Sequence, residues 1–117
     1  MKLSGDGKLL RIFLGETDQF EHQPLYDVIV RKAREMGLAG ATVLRGVESY
    51  GAGTRVIHTA KLLELSHDLP IIIEIIDSEE KIQSFLPYID ELFEKTGCGG
   101  LVTIEKAEII KYTHGKR

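Results

Sequence analysis

Apolar residues along this chain fall into short runs that alternate between two periods, a period of two and one near 3.6. In Lys8 to Leu14 the residues Leu10, Ile12 and Leu14 share one face, while Leu9, Arg11 and Phe13 point the other way, the pattern of a strand. Gly15 to Gln23 is polar and reads as a connection. Pro24 stands where a first helical turn tolerates proline, and Leu25, Val28, Ile29, Ala33 and Met36 follow at helical spacing. Gly37 is placed to end that helix as a left-handed cap. Ala41 to Tyr50 then predicts a second strand, with Gly46 marking a bulge or a close backbone approach, and Gly51-Ala52-Gly53 breaks it.

From Thr54 to Asp68 no clean period holds, yet Val56, Ile57, Leu62, Leu63 and Leu65 make the stretch too apolar for a simple solvated linker. It predicts a long excursion with some ordered part. Leu69 to Ile76 is rich in β-branched residues and predicts a buried central strand, with Pro70 at its start where a strand allows one. Asp77-Ser78-Glu79-Glu80 offers an acidic N-cap with Glu three positions later, a capping-box pattern. Ile82, Phe85, Leu86, Ile89, Leu92 and Phe93 form the stripe of a second helix, which Pro87 is expected to kink or restart. Thr96 to Gly100 stops it, Leu101 to Ile104 makes the last main strand, and Ile109 to Tyr112 a short edge.

The order is β-α-β, a long loop, then β-α-β, and the halves echo each other. Gly37-Leu38-Ala39-Gly40-Ala41-Thr42-Val43 matches Gly97-Cys98-Gly99-Gly100-Leu101-Val102-Thr103 in character. A duplicated βαβ unit of this kind packs both helices on one face of an antiparallel sheet. The expected fold is therefore α+β, a ferredoxin-like β-α-β-β-α-β domain over residues 1–117, with the long loop between strands two and three. Val, Ile and Leu occupy both sides of the middle strands, so the second sheet face needs cover. Self-association is the economical way to supply it.

Composition narrows the function classes. The chain has 117 residues, 28% of them charged, and a net charge of −3, which lacks the basic excess of a nucleic-acid footprint. Lys111, Lys116 and Arg117 form a basic cluster that reads equally as a solvated tail. Cys98 is the single cysteine, which excludes an intrachain disulfide and a zinc ribbon and suits a reduced cytoplasm. The polar, Gly-rich start does not read as a signal peptide, and the longest apolar run is too short to cross a bilayer. A cytoplasmic protein is expected.

Candidate chemistry is sparse. Gly97 to Gly100 could form a nest whose amides cradle a phosphate, or simply a helix cap and a turn. Gly51 and Gly53 could hold a phosphate together with a charge-assisted bond from Arg55. His22, His58, His67 and His114 lack metal-ligand spacing and read as surface residues. Cys98 has no base near it in sequence, and Glu79-Glu80 and Asp90-Glu91 fall on helix starts or exposed faces. No catalytic residue and no metal ligand is assigned, and the chain does not read as an enzyme.

These segments resemble the PII signalling superfamily, and its uncharacterised PII-like branch most closely. Gly37 to Val43 running on to Tyr50-Gly51 is similar to the PII segment that enters the long T-loop. Leu69-Pro70 with Ile73-Glu74-Ile75 resembles the returning strand, and Thr96-Gly97 to Gly100 stands at the glycine-rich B-loop. The resemblance implies a homotrimer with effector sites between subunits, where ADP or ATP binds and no cofactor is required. Carried over by position, the ligand residues are Gly40, Thr42, Gly51, Glu74, Gly97, Gly99, Gly100 and Lys111, joined by Gly53 and Arg55 from the reading above. The sequence departs from the family in having Ile71 after Pro70 instead of a lysine. Its B-loop has Cys98 and Leu101 in place of basic residues, and no glutamine stands at Ala52 or Gly53. The implied role is a regulator whose loop docks on a membrane transporter or a metabolic enzyme. The alternative is a metal- or ion-responsive trimer like the CutA-type relatives.

Overall fold

In the computed structural model, residues 5–51, 54–59 and 69–116 are described. Strand β1 (Gly5–Gly15) leads through a small hairpin, β2 (Gln19–Phe20) and β3 (Gln23–Pro24), into helix α1 (Leu25–Glu35). Then come β4 (Thr42–Arg45), β5 (Glu48–Gly51), β6 (Thr54–Thr59), β7 (Pro70–Asp77), helix α2 (Glu79–Thr96) and β8 (Leu101–Ile109). The main sheet has the order β4-β7-β1-β8, every neighbour antiparallel, which is the expected ferredoxin-like α+β arrangement.

The two periods meet in one core. Leu10, Ile12 and Leu14 of β1 and Ile71, Ile73 and Ile75 of β7 face the helices. Against them lie Leu25, Ile29 and Ala33 of α1, four residues apart, and Ile82, Phe85, Ile89 and Leu92 of α2. This burial on one sheet face is the main stabilising term, since each buried Leu or Ile contributes about 1.5–3 kcal/mol. The opposite face carries Leu9, Phe13, Ile72 and Ile76 around the polar pair Arg11 and Glu74.

Both helices end as their glycines predict. Gly37 is left-handed at φ 80°, with its N–H donating to Arg34 O and the Leu38 N–H to Ala33 O, a Schellman motif closed by burial of Leu38 against Ala33. Gly97 is also left-handed, at φ 69°, and closes α2 by the simpler αL cap, its N–H donating to Phe93 O. Gly100 is needed for another reason. A Cβ there would sit 2.6 Å from Phe13 O and 2.7 Å from a Phe93 ring carbon, so the turn into β8 lies flat on the core.

Some expectations change in detail. The second strand does not run through to Tyr50: it stops at Arg45, where the Gly46 N–H donates to Pro70 O, and resumes as β5. β5 pairs with β6, so Thr54 to Thr59, a β-branched stretch without clear alternation, is the ordered part of the expected excursion, a hairpin arm. Residues 52–53 and 60–68, which include Gly53 and Leu62, Leu63, Leu65 and His67, lie outside the described residues. Helix α2 runs as one element through the exposed Pro87. Strand β8 reaches Ile109 by pairing with Gly5, leaving Ile110 to Tyr112 outside any strand.

The capping box is replaced by a different device. Ser78, not Asp77, is the N-cap, accepting from Lys81 N–H at 3.3 Å. Asp77 is fully buried at the end of β7, and its carboxylate accepts the Ser78 N–H at 2.6 Å and the Ala39 N–H at 2.8 Å. It therefore ties the start of α2 to the α1–β4 connection. We predict that Asp77→Ala lowers the unfolding free energy by about 2–4 kcal/mol, the loss of charge-assisted bonds from a buried carboxylate to two half-buried amides, and Asp77→Asn by about half of that. Urea midpoints of the two variants check this, and unchanged midpoints would refute the role.

Candidate functional site

Residues of the candidate site gather at the two ends of the main sheet. At the end where β8 finishes and β4 begins, a cleft of ≈ 630 Å³ opens on the helix-free face. Four of the expected ligand residues line it: Gly40, Thr42, Glu74 and Lys111. Its remaining walls come from the loop at Ala39 and Ala41, from Ile76, and from Ala107 to Tyr112. The tail after β8 crosses this end of the sheet and is pinned there, because the Tyr112 hydroxyl donates to Ala39 O at 2.7 Å. His114 packs edge-on to the Tyr112 ring at 5.0 Å. Gly40 is exposed, and a Cβ built on it meets nothing within 4 Å.

The cleft is two-sided in character. Ile76, Ala107, Ile109 and the Tyr112 ring offer apolar area, and the charged lining is Glu74, Glu108 and Lys111, two carboxylates to one ammonium. Glu74 does not face the cleft alone: Arg11 Nε donates to its carboxylate at 2.9 Å, and Arg11 also pairs with Glu105. The hydrogen bond to Glu74, with Glu105 beside it, raises the Arg11 pKa above its ordinary value. An aromatic ring, an aliphatic wall and a few polar groups suit a flat heterocycle better than a bare ion.

Gly97, Gly99 and Gly100 stand at the other end, where the turn enters β8. Eight residue steps of β8 separate the two ends, about 26 Å at ~3.3 Å per residue. Gly51 closes β5, which pairs with β6 in a separate two-stranded sheet rather than in the main one. Arg55 lies in β6, and Gly53 lies outside the described residues. A single chain thus does not bring the glycine turn, the hairpin and the cleft into one pocket. Among the described residues, no group of three or more His, Cys, Asp or Glu side chains comes together to hold a metal ion. No helix there is long and apolar enough to cross a membrane.

Known proteins identify the family and share the fold. The model of the DUF190 family, described as "Uncharacterized ACR", matches residues 7–109. The chain belongs to the DUF190 family. A UPF0166 protein of Aquifex aeolicus is 46% identical over 103 residues, covering 88% of this chain and 92% of the relative. A UPF0166 protein of Methanocaldococcus jannaschii is 36% identical over 104 residues, covering 89% and 92%. Among solved structures, CPII from Thiomonas intermedia K12 bound to ADP and bicarbonate superposes with a TM-score of 0.67 at 18% identity, covering 91% of this chain and 90% of that one. CPII bound to ADP, AMP and acetate gives 0.66 at 18% identity, covering 95% and 94%. CPII is described as a nitrogen regulatory PII-like protein, so this DUF190 chain has a PII-like fold.

Sequence reasoning missed Tyr112 and Ala39 as site-forming residues. Tyr112 stood as part of a short edge strand. The usable signal was an aromatic residue inside an otherwise polar, basic tail, which needs a surface to lie on. Tyr112→Phe should cost under about 1.5 kcal/mol of global stability, one neutral hydrogen bond. It should nevertheless raise trypsin cleavage after Lys111 several-fold, because the tail loses its anchor. Equal cleavage rates in the two proteins would show that the hydroxyl does not hold the tail.

Proposed function

We propose that this protein is a PII-like regulator that senses an adenine nucleotide, ADP or ATP, and acts without catalysing a reaction. The reading rests chiefly on one observation: the chain has the fold of CPII, which carries ADP in its solved structures. In this chain the positions expected to bind stand at glycine turns, at the hairpin and in the cleft with Glu74, Thr42 and Lys111. The site is completed between subunits of a homotrimer in the cytoplasm, with the helix-free sheet faces turned inward. Nucleotide acts by binding more tightly to one arrangement of the segment between β5 and β7 than to another, and that segment presents the state to a target protein. A membrane transporter or a metabolic enzyme is the target class.

Calorimetric titration of the purified protein with ADP, ATP and divalent metals tests the reading. ADP or ATP should bind, and Arg55→Ala should weaken binding about ten- to hundredfold, the loss of one charge-assisted contact of about 1.5–3 kcal/mol. ATP should release phosphate no faster than in buffer. Heat from a divalent metal, with none from either nucleotide, would favour the ion-responsive alternative and end this one.

A further inference from the structure

A second cavity opens on the helix side of the main sheet, where β1 begins and β8 ends. It holds ≈ 520 Å³ and is walled by Asp6, Lys8, Lys106 and Glu108 on the two strands and by Glu79, the first residue of α2. It shares only Ala107 and Glu108 with the cleft. The strand register sets its charges in rows of one sign. Asp6 stands directly across from Glu108, and Lys8 directly across from Lys106, on the face that carries Leu10 and Ile12. Like charges opposite one another destabilise a ladder, because their Cβ atoms are only about 4.5–5.5 Å apart. Exchanging the two charged residues of one strand would turn both rows into attractive pairs, so the fold does not require this cost. The charges are also left open. Lys8 reaches Glu79 at 3.5 Å, its side chain only 23% exposed, but among the described residues Asp6, Lys106 and Glu108 form no ion pair. The floor beneath them is firm: Ile109 lies across Gly7 on the other face so closely that a Cβ on Gly7 would collide with it.

Three carboxylates and two ammonium groups around one cavity call for a ligand with the inverse set, two cations and one carboxylate. We propose that this cavity binds a basic amino acid, an α-amino acid with a cationic side chain. Its carboxylate bridges the Lys8 and Lys106 ammonium groups, and its α-ammonium faces Glu79. The side-chain cation reaches the Asp6 and Glu108 carboxylates. Spacing agrees with this placement. The two rows are two residues apart along each strand, about 6–7 Å at ~3.3 Å per residue, the reach of an extended four-carbon stem. Binding then relieves the repulsion within each row. Ligands of simpler charge fit worse: an inorganic anion would sit beside three carboxylates, and a diamine would leave Lys106 unmatched. Among the described residues no His, Cys, Asp or Glu side chains group to hold a metal ion here. The site lies on the opposite sheet face from the cleft and owes nothing to the nucleotide reading.

Calorimetry of the full chain without nucleotide tests this, with L-lysine, L-ornithine and L-arginine as probes. At least one should bind at millimolar concentration or below. Norleucine, which lacks the side-chain cation, and cadaverine, which lacks the carboxylate, should bind about tenfold more weakly or not at all. Lys106→Met and Glu108→Gln, both at exposed positions, should each weaken the same probe by about tenfold or more. The double exchange of Lys106→Glu with Glu108→Lys should abolish binding yet raise the urea midpoint, since both rows become opposite-charge pairs. No heat from any of the three probes would overturn the proposal, and so would binding that Lys106→Met and Glu108→Gln leave unchanged. Norleucine or cadaverine binding as tightly as the basic amino acids would overturn it too. A double exchange that fails to raise the midpoint would do the same, because the rows would then hold no repulsion for a ligand to relieve.

Discussion

Two helices cannot cover four strands, and this shortfall governs the molecule. α1 and α2 bury the middle pair, β1 and β7, where Leu10, Ile12, Ile73 and Ile75 are fully enclosed. They leave the flanking strands β4 and β8 open on both faces. The helix-free face is no solvated surface either, because Leu9, Phe13, Ile72 and Ile76 surround Arg11 and Glu74 there. An ion pair set in apolar surroundings gains little over its desolvation cost, so its value is in register more than in stability. The isolated chain is thus a folded core with unfinished margins. Its candidate binding residues sit on those margins rather than in the core.

A second constraint keeps the margins in place. The buried Asp77 carboxylate holds the Ala39 N–H, and Ala39 O in turn accepts from Tyr112. Three segments distant in sequence, the end of β7, the loop before β4 and the C-terminal tail, meet through one residue's backbone. Burial makes the inner bond strong and the outer one exchangeable: Asp77 is sealed from water, whereas Tyr112 is partly exposed. The cleft therefore has a fixed floor and a tail that can be released.

Much of the fold was legible because hydrophobic period alone decides it. Leu10, Ile12 and Leu14 could only be one face of a strand, and Leu25, Ile29 and Ala33 only one stripe of a helix. Glycines at positions 37 and 97 named both helix ends, since left-handed backbone favours them. What failed was local competition. Asp77 and Ser78 both suit an N-cap, and sequence could not tell that Asp77 would be drawn inward by an amide 38 positions away. Thr54 to Thr59 could not be read as a strand because its apolar and polar residues do not alternate and its partner, β5, lies on the same excursion rather than in the main sheet. Of the site, the glycines and Glu74 were legible as residue types, but their division between the two sheet ends was not. That division depends on topology, which places the start and finish of β8 at opposite ends of a long strand.

The hairpin's attachment bears on how a ligand could be read out. β5 follows β4 directly, and the corner between them is fixed by the Gly46 N–H bonded to Pro70 O at the start of β7. On the far side of that excursion, Leu69 is buried and its carbonyl accepts the Glu16 N–H, while Arg45 pairs with the Glu16 carboxylate at 2.8 Å. Both stems of the segment are thus clamped to the end of β1 within a few residues of each other. A ligand can shift a conformational equilibrium only by its difference in affinity for the two states. Any rearrangement of the segment between β5 and β7 would therefore have to work against these fixed contacts, which hold both of its stems to one corner of the main sheet.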